Sequence, residues 1–279
     1  DALEPMGIHV VARASFDEAN EELSGADLVL TGGHSLYEAK QQQHDNVHAF
    51  PSAVDIGHFA QAREMAPSNA ERPTIGFYGV IDERLDIDLV DQVAAMRPDI
   101  DFEIVGPVVK IDPASLPQRA NIVYTPSQPY SALPTCLGRW HAAMMPFARN
   151  DSTRFISPTK TPEYLAAGRP VVSTVVRDVE RHYGALKGVM LADDAEGFAA
   201  ACDAAILLAQ DKSDWLGAVD EVLSQISWDR TQWEMRKHIE AGLARAESLT
   251  KVRSSARTRY DFVIVGAGFA GAVMAERLA

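Results

Sequence analysis

Nine short apolar runs, most of them rich in β-branched residues, recur along the chain with amphipathic stretches between most of them. They are Ile8–Val11, Asp27–Thr31, Val47–Phe50, Thr74–Tyr78, Phe102–Val105, Ile122–Tyr124, Ala142–Met145, Val171–Ser173 and Val189–Leu191. Strand, helix and strand in that order predict an α/β chain with a parallel sheet covered by helices on both faces. A doubly wound sheet of this kind holds its ligands beyond the carboxyl ends of the strands, in the loops that lead into the helices. Apolar residues make up 47% of the 279 positions, enough for one large core or two medium ones.

The runs divide unevenly. Residues 1–55 read as the closing part of one α/β domain, and residues 56–249 as a fuller one that ends in helices. Trp215, Trp228 and Trp233 are the expected anchors of that helical end. Residues 250–259 are polar and basic and read as a linker. Residues 260–279 open a further strand and helix. The first residue is Asp1 rather than Met, so a preceding segment is expected.

Charge excludes some functions. A net charge of −13 argues against a nucleic-acid surface, which needs clustered Lys and Arg, and against a broad electrostatic membrane patch. The two cysteines, Cys136 and Cys202, stand in separate apolar segments and read as reduced core thiols of a cytoplasmic protein. The eight histidines show no ligand spacing, so no metal is expected. His34 and His44 read as surface or core residues, with an approach to an acceptor as the alternative. Asp86-Ile-Asp88 reads as helix capping rather than a metal pair.

The segment from Ser157 to Thr174 carries most of the chemistry. Lys160 and Glu163 stand three residues apart where a helix begins, Gly168 ends that helix, and Pro170–Thr174 reads as the next buried strand. A helix start attracts anions through its free N–H groups and dipole. A cation there suits a phosphate, and a carboxylate one turn on suits sugar hydroxyls.

Four loops are expected to face one crevice. Gly79 follows a buried strand and lets a ligand approach the backbone. Arg84 follows it, with a guanidinium able to fork onto a diphosphate or to pair with Glu83 or Asp86. Gly106 ends another strand, where close approach and a simple turn are equally open. The loop from Tyr124 to Tyr130 could hold a base through backbone groups. The long polar loop from Pro146 to Lys160 contains Asn150, Asp151, Thr153 and Arg154, and its length in a compact domain points to function.

The run Pro158-x-Lys160-x-x-Glu163-Tyr164-Leu165-Ala166-x-Gly168-x-Pro170-Val171-Val172 resembles the nucleotide-binding domain of GT-B glycosyltransferases, the family-4-like group with a group 1 transferase domain. The resemblance runs from about Asp1 to Leu249 and implies a Rossmann-like doubly wound sheet with C-terminal helices, preceded by a partial N-terminal, acceptor-side domain. It implies transfer of a hexose from a nucleotide-diphosphate sugar to a glycan or lipid acceptor, without a bound cofactor or metal. Lys160 and Arg84 would neutralise the diphosphate, Glu163 would hold the ribose hydroxyls, Gly79 would lie under the phosphates, and Gly106, Asn150 and Thr153 would line the donor site. The family's first carboxylate falls eight residues before the second, where this chain has Phe155; Asp151 is the carboxylate that would replace it. The resemblance leaves room for peripheral association with the inner face of a membrane. A non-catalytic nucleotide-sugar-binding module is the alternative that the broken carboxylate pair suggests.

Tyr260–Gly271 is a second motif. An apolar strand enters Gly266-x-Gly268-x-x-Gly271, the strand–turn–helix order of a dinucleotide-binding fingerprint. It resembles the opening of UDP-galactopyranose mutase and related FAD enzymes. The resemblance implies FAD in a fuller C-terminal domain and makes a UDP-linked galactofuranose or galactose the favoured donor. A part of a bifunctional mutase is a further alternative.

Overall fold

The computed structural model describes residues 10–13, 23, 25–67, 72–250 and 262–265. Its strands are β1 (Val10–Arg13), β2 (Val29–Thr31), β3 (Val47–Ala49), β4 (Thr74–Tyr78), β5 (Asp101–Val105), β6 (Ile122–Thr125), β7 (Ala142–Met145), β8 (Val171–Ser173), β9 (Val189–Leu191) and β10 (Phe262–Val265). Contacts divide the chain into two compact units, one formed by residues 1–53 with 226–279 and the other by residues 54–225.

The larger unit has a six-stranded sheet in the order β6-β5-β4-β7-β8-β9, parallel at every pairing. β4, β5 and β6 step outward from the centre on one side, and β7, β8 and β9 on the other. The direction of winding reverses between β4 and β7, and the crossovers leave a crevice beyond the carboxyl ends of those two strands. Buried strands of a parallel sheet read as continuous apolar runs, as β7 (Ala-Ala-Met-Met) and the core of β4 do. Helices cover the sheet, among them Ile87–Met96 and the largely apolar Ala195–Ala209. Asp86 caps the first by accepting from Leu89 N at 2.9 Å, the capping role its position predicts.

The β4 backbone is packed tightly. A Cβ on Gly76 would stand 1.9 Å from Trp140 Cε2, so the strand needs glycine where the buried indole crosses it. That indole donates from Nε1 to Glu103 Oε2 at 2.6 Å, which satisfies its polar atom inside the core. Arg169, fully buried, donates from Nη2 to the carbonyls of Ala62 and Gly138 at 3.0 Å, tying the start of β8 to the segments beside it.

The smaller unit has a four-stranded parallel sheet in the order β1-β10-β2-β3. β1 takes up the second half of the predicted run, whose first two residues, Ile8 and His9, lie outside the described residues. The sequence reading places residues 260–279 in a domain of their own, whereas β10 pairs on both sides here, with β1 and with β2. A parallel strand with two open edges satisfies its N–H and C=O groups through such neighbours. The long helix Trp228–Thr250 also groups with this unit, so the division falls at residue 225 rather than at 249. Of the three expected anchors, Trp215 is buried, while Trp233 is 55% exposed with Lys237 Nζ over its ring. His44 bonds within this unit, from Nε2 to Ala26 O at 2.9 Å. Among the described residues no helix is long and apolar enough to cross a membrane.

Candidate functional site

Two glycines shape the crevice at the centre of the larger unit. Gly79 follows β4 with φ +149°, and Gly106 follows β5 with φ +150°. A Cβ on Gly106 would meet Gly79 O at 1.8 Å, so the two strand-end turns lie backbone against backbone. A Cβ on Gly79 would meet Lys160 Cε at 2.5 Å and Nζ at 3.1 Å. The lysine stem therefore crosses over Gly79, and the space that the missing side chain leaves is the space Lys160 uses. The ammonium lies 5.9 Å from the centre of the Phe77 ring.

Lys160 opens the helix Lys160–Ala166, and Gly168 follows it at φ +66°, the left-handed turn expected there. Burial pulls the Lys160 ammonium below its ordinary range; the charge of Glu163 opposes that fall, Arg84 adds to it, and Asp82 resists it. The charges of all three side chains thus act on Lys160.

Glu163 is buried one turn along the helix, with 7% of its surface exposed. Tyr78 Oη, from the last residue of β4, donates to Glu163 Oε2 at 2.5 Å. Tyr164 Oη in turn accepts from Tyr78 N at 3.1 Å, so two bonds join the end of β4 to this helix. Burial raises the Glu163 carboxyl to about 7, against the Tyr78 hydrogen bond and the Lys160 charge, which both favour the carboxylate. Tyr130 faces the same carboxylate from the loop after β6: burial, Asp55 and Glu163 raise its hydroxyl to about 12. The Tyr130 ring is 45% exposed and stacks on His58 at 4.2 Å.

Arg84 reaches the crevice with a partner already bound. Its Nε donates to Asp82 Oδ1 at 2.9 Å and its Nη2 to Asp82 Oδ2 at 2.7 Å. The partner is Asp82, and neither Glu83 nor Asp86, which the sequence offers. Burial opposes ionisation of Asp82, but the bonds from Arg84 outweigh it and hold the carboxyl below its usual range. Asp82 is 2% exposed, so its charge is matched by Arg84 rather than by water. The site accordingly presents Lys160 as a cation without a bidentate carboxylate, beside an arginine whose fork is half used.

The long loop before Lys160 is built by its own polar side chains. Thr153 Oγ1 donates to Ala148 O and accepts from Asn150 N at 3.1 Å. Asn150 Nδ2 donates to Glu83 O at 3.0 Å, and Ala148 N to Arg84 O at 2.8 Å, which fastens this loop to the one carrying Arg84. Thr153 and Asn150, which the sequence expects on the donor, thus also shape the loop. Asp151 is exposed and has no hydrogen-bond or ion-pair partner among the described residues. An open groove of about 490 Å³ adjoins the two loops, lined in part by Asp86, Asp88, Ala148 and Arg149.

Lys160, Glu163, Gly79, Gly106 and Arg84 therefore converge, while Asp151 is exposed on the loop that leads to Lys160 and, among the described residues, makes no contact that ties it to them. Sequence reasoning missed Tyr78 and Asp82. Their signal was position: Tyr78 is the residue before the strand-end glycine, and Asp82 lies two before the arginine. Gly266, Gly268 and Gly271 lie outside the described residues. Among the described residues no group of three or more His, Cys, Asp or Glu is placed to hold a metal ion.

The model of a family described as glycosyl transferase-like matches residues 84–262. A Bacillus subtilis (strain 168) protein, TuaH, assigned to teichuronic acid biosynthesis as a glycosyltransferase, is 27% identical over 203 residues, covering 70% of this chain and 47% of that protein. The chain thus spans about half the length of this curated relative. Among solved structures, a trehalose 6-phosphate synthase from Burkholderia multivorans aligns with a TM-score of 0.60 at 14% identity, covering 88% of this chain and 69% of that one. A sucrose-phosphate synthase from Thermosynechococcus elongatus aligns at 0.59 and 16% identity, covering 81% and 61%. Anabaena HepE, solved in complex with UDP and glucose, aligns at 0.57 and 11% identity, covering 87% and 71%.

Proposed function

The chain belongs to the glycosyl transferase-like family and has the parallel α/β sheet of GT-B glycosyltransferases, and from that premise we propose that its central crevice binds a nucleotide-diphosphate sugar and transfers the hexose to a glycan or lipid acceptor. The observation that carries this reading is Lys160 laid across Gly79, with Glu163 one helical turn away, at the point where the sheet reverses its winding.

In this reading the diphosphate lies against Lys160 Nζ and the turn at Gly79. Transfer breaks the bond between the sugar and the diphosphate, so negative charge grows on the leaving oxygen. A fixed ammonium at that point stabilises the developing charge without having to reorganise. Arg84, oriented by Asp82, adds a second positive charge through the guanidinium edge that Asp82 leaves free. Glu163 accepts from the ribose hydroxyls through the oxygen that Tyr78 does not occupy. The exposed Tyr130 ring borders the same space.

We favour a UDP-linked donor, with galactofuranose or galactose as its sugar, on the strength of the mutase-like sequence at residues 260–271. HepE, which shares the fold, was solved with UDP. A thermal-shift panel of UDP, GDP and UDP-sugars tests the reading. A ligand at a hundred times its Kd stabilises by about 2.7 kcal/mol. For a unit of this size that is a rise of roughly 5–10 °C in Tm. UDP is expected to give it. No shift with any nucleotide or nucleotide sugar would overturn the reading.

A further inference from the structure

We propose that Tyr78 is the positioning residue of this site: its hydroxyl fixes one oxygen of Glu163 and leaves the other to receive the donor's ribose hydroxyls. The inference rests on the nucleotide-sugar reading above and adds a residue that the motif itself does not contain.

The geometry is specific. Tyr78 closes β4, next to Gly79, while Glu163 lies on the helix that Lys160 opens. Oη of Tyr78 donates to Oε2 at 2.5 Å, and no other hydrogen bond among the described residues engages the Glu163 carboxylate. Tyr164, on the same helix as Glu163, holds the Tyr78 backbone through its own hydroxyl. The Tyr78 ring is set edge-on to that of Tyr164, with centroids 5.0 Å apart, so its hydroxyl has little freedom to turn elsewhere. A carboxylate pinned at one oxygen presents the other in a single direction. Glu163 therefore meets a ligand pre-oriented, at a fixed offset from the Gly79 turn where the phosphates would lie. Pre-orientation lowers the ordering cost of binding.

A purely structural Tyr78 would affect stability alone. A positioning Tyr78 also sets the pH at which Glu163 becomes an acceptor, because its O–H favours the carboxylate over the acid. Burial raises the Glu163 carboxyl to about 7, and the hydrogen bond and Lys160 restrain that rise. The groups facing this carboxylate are Tyr78, Tyr164, Tyr130 and Lys160, and Arg84 and Asp82 act in turn on Lys160.

The test is UDP binding by isothermal titration from pH 5.5 to 8.5, for the whole chain and its Tyr78→Phe, Tyr164→Phe and Glu163→Gln variants. Dividing each affinity by that of Glu163→Gln at the same pH cancels the titration of the UDP phosphate. The wild-type ratio should rise with pH through a midpoint near neutrality. Tyr78→Phe should move that midpoint up by about one pH unit, the tenfold that one hydrogen bond to a carboxylate is worth. Tyr164→Phe, which bonds only the backbone, should leave the midpoint in place. A Tyr78→Phe midpoint equal to the wild type overturns the proposal. So does a transition that persists unchanged in the raw Glu163→Gln curve beyond that of free UDP, since it would belong to another group. If Tyr78→Phe does not fold, the carboxyl signal of Glu163 in the infrared spectrum of the wild type decides: a strongly hydrogen-bonded carboxylate supports the proposal, and a free one overturns it. Absence of UDP binding by every form would overturn the nucleotide-sugar reading itself, an outcome distinct from an unmoved midpoint.

Discussion

Replacing Glu163 with Gln should make the protein more stable at alkaline pH and leave it nearly unchanged in acid. Burial holds the Glu163 carboxyl at about 7 in the folded chain, against an ordinary value of 4.5. Between those values the folded state keeps a proton that the unfolded chain releases. The stability this group contributes is therefore complete below pH 4.5 and is lost as pH rises through about 7. At 1.36 kcal/mol per pH unit, the loss across that window is roughly 3 kcal/mol. Glu163 is 7% exposed, so solvent screens little of this. The glutamine amide keeps the shape and can still accept from Tyr78, but it has no proton to lose. Urea unfolding followed by circular dichroism, at half-unit steps from pH 4.5 to 8.5, measures the effect. The variant and the wild type should be close at pH 4.5 and separate by roughly 2–4 kcal/mol at pH 8, where only the wild type has a charge to bury. A difference between the two that stays constant across the range would refute a carboxyl held near neutrality by burial.

Gly106→Ala should destabilise the protein by roughly 2–4 kcal/mol, since the new Cβ would meet Gly79 O at 1.8 Å and take a positive φ. It should also weaken UDP binding at least tenfold, because Gly79 must move; calorimetry that finds stability lost and affinity kept would separate the two glycines from the donor. Asp82→Asn should leave Arg84 without its ionised partner and lower the transfer rate more than donor affinity, since the guanidinium is expected to act on developing charge. An unchanged kcat would show that Asp82 serves the loop alone.

The parallel sheet was legible because its inner strands β7 and β8 are buried on both faces. Runs such as Ala142–Met145 and Val171–Ser173 have no polar interruption, and the structure places strands at those same residues. The helix stop at Gly168 was legible too, since its left-handed φ of +66° suits glycine. The strand pairing of Phe262–Val265 was not, because an apolar run does not state which sheet will accept it. Trp233 misled for a related reason. A large aromatic on a helix suggests an anchor, but its ring lies under Lys237 and stays exposed.

At the site, residue types that a phosphate and a ribose require stood out in the sequence, as Lys160 and Glu163 did. What holds them in place was harder to read. The partner of Arg84 depends on which neighbouring carboxylate the loop turns inward, and only Asp82 among three candidates is buried. Tyr78 looks like any aromatic at the end of a strand until Glu163, 85 residues away in sequence, arrives at its hydroxyl. Thr153 and Asn150 read as ligands because they are polar and sit in a long loop; that the same side chains also close the loop depends on partners such as Glu83 O, which the sequence does not pair with them.

In the proposed function Lys160, lying over Gly79, holds the diphosphate of a nucleotide sugar. Isothermal titration of UDP into the wild type and into Lys160→Ala tests it most directly. The ammonium makes a charge-assisted contact worth roughly 1.5–3 kcal/mol, so the variant should bind roughly 10- to 100-fold more weakly while unfolding at a similar temperature. Equal affinity in the two proteins would show that Lys160 does not hold the diphosphate.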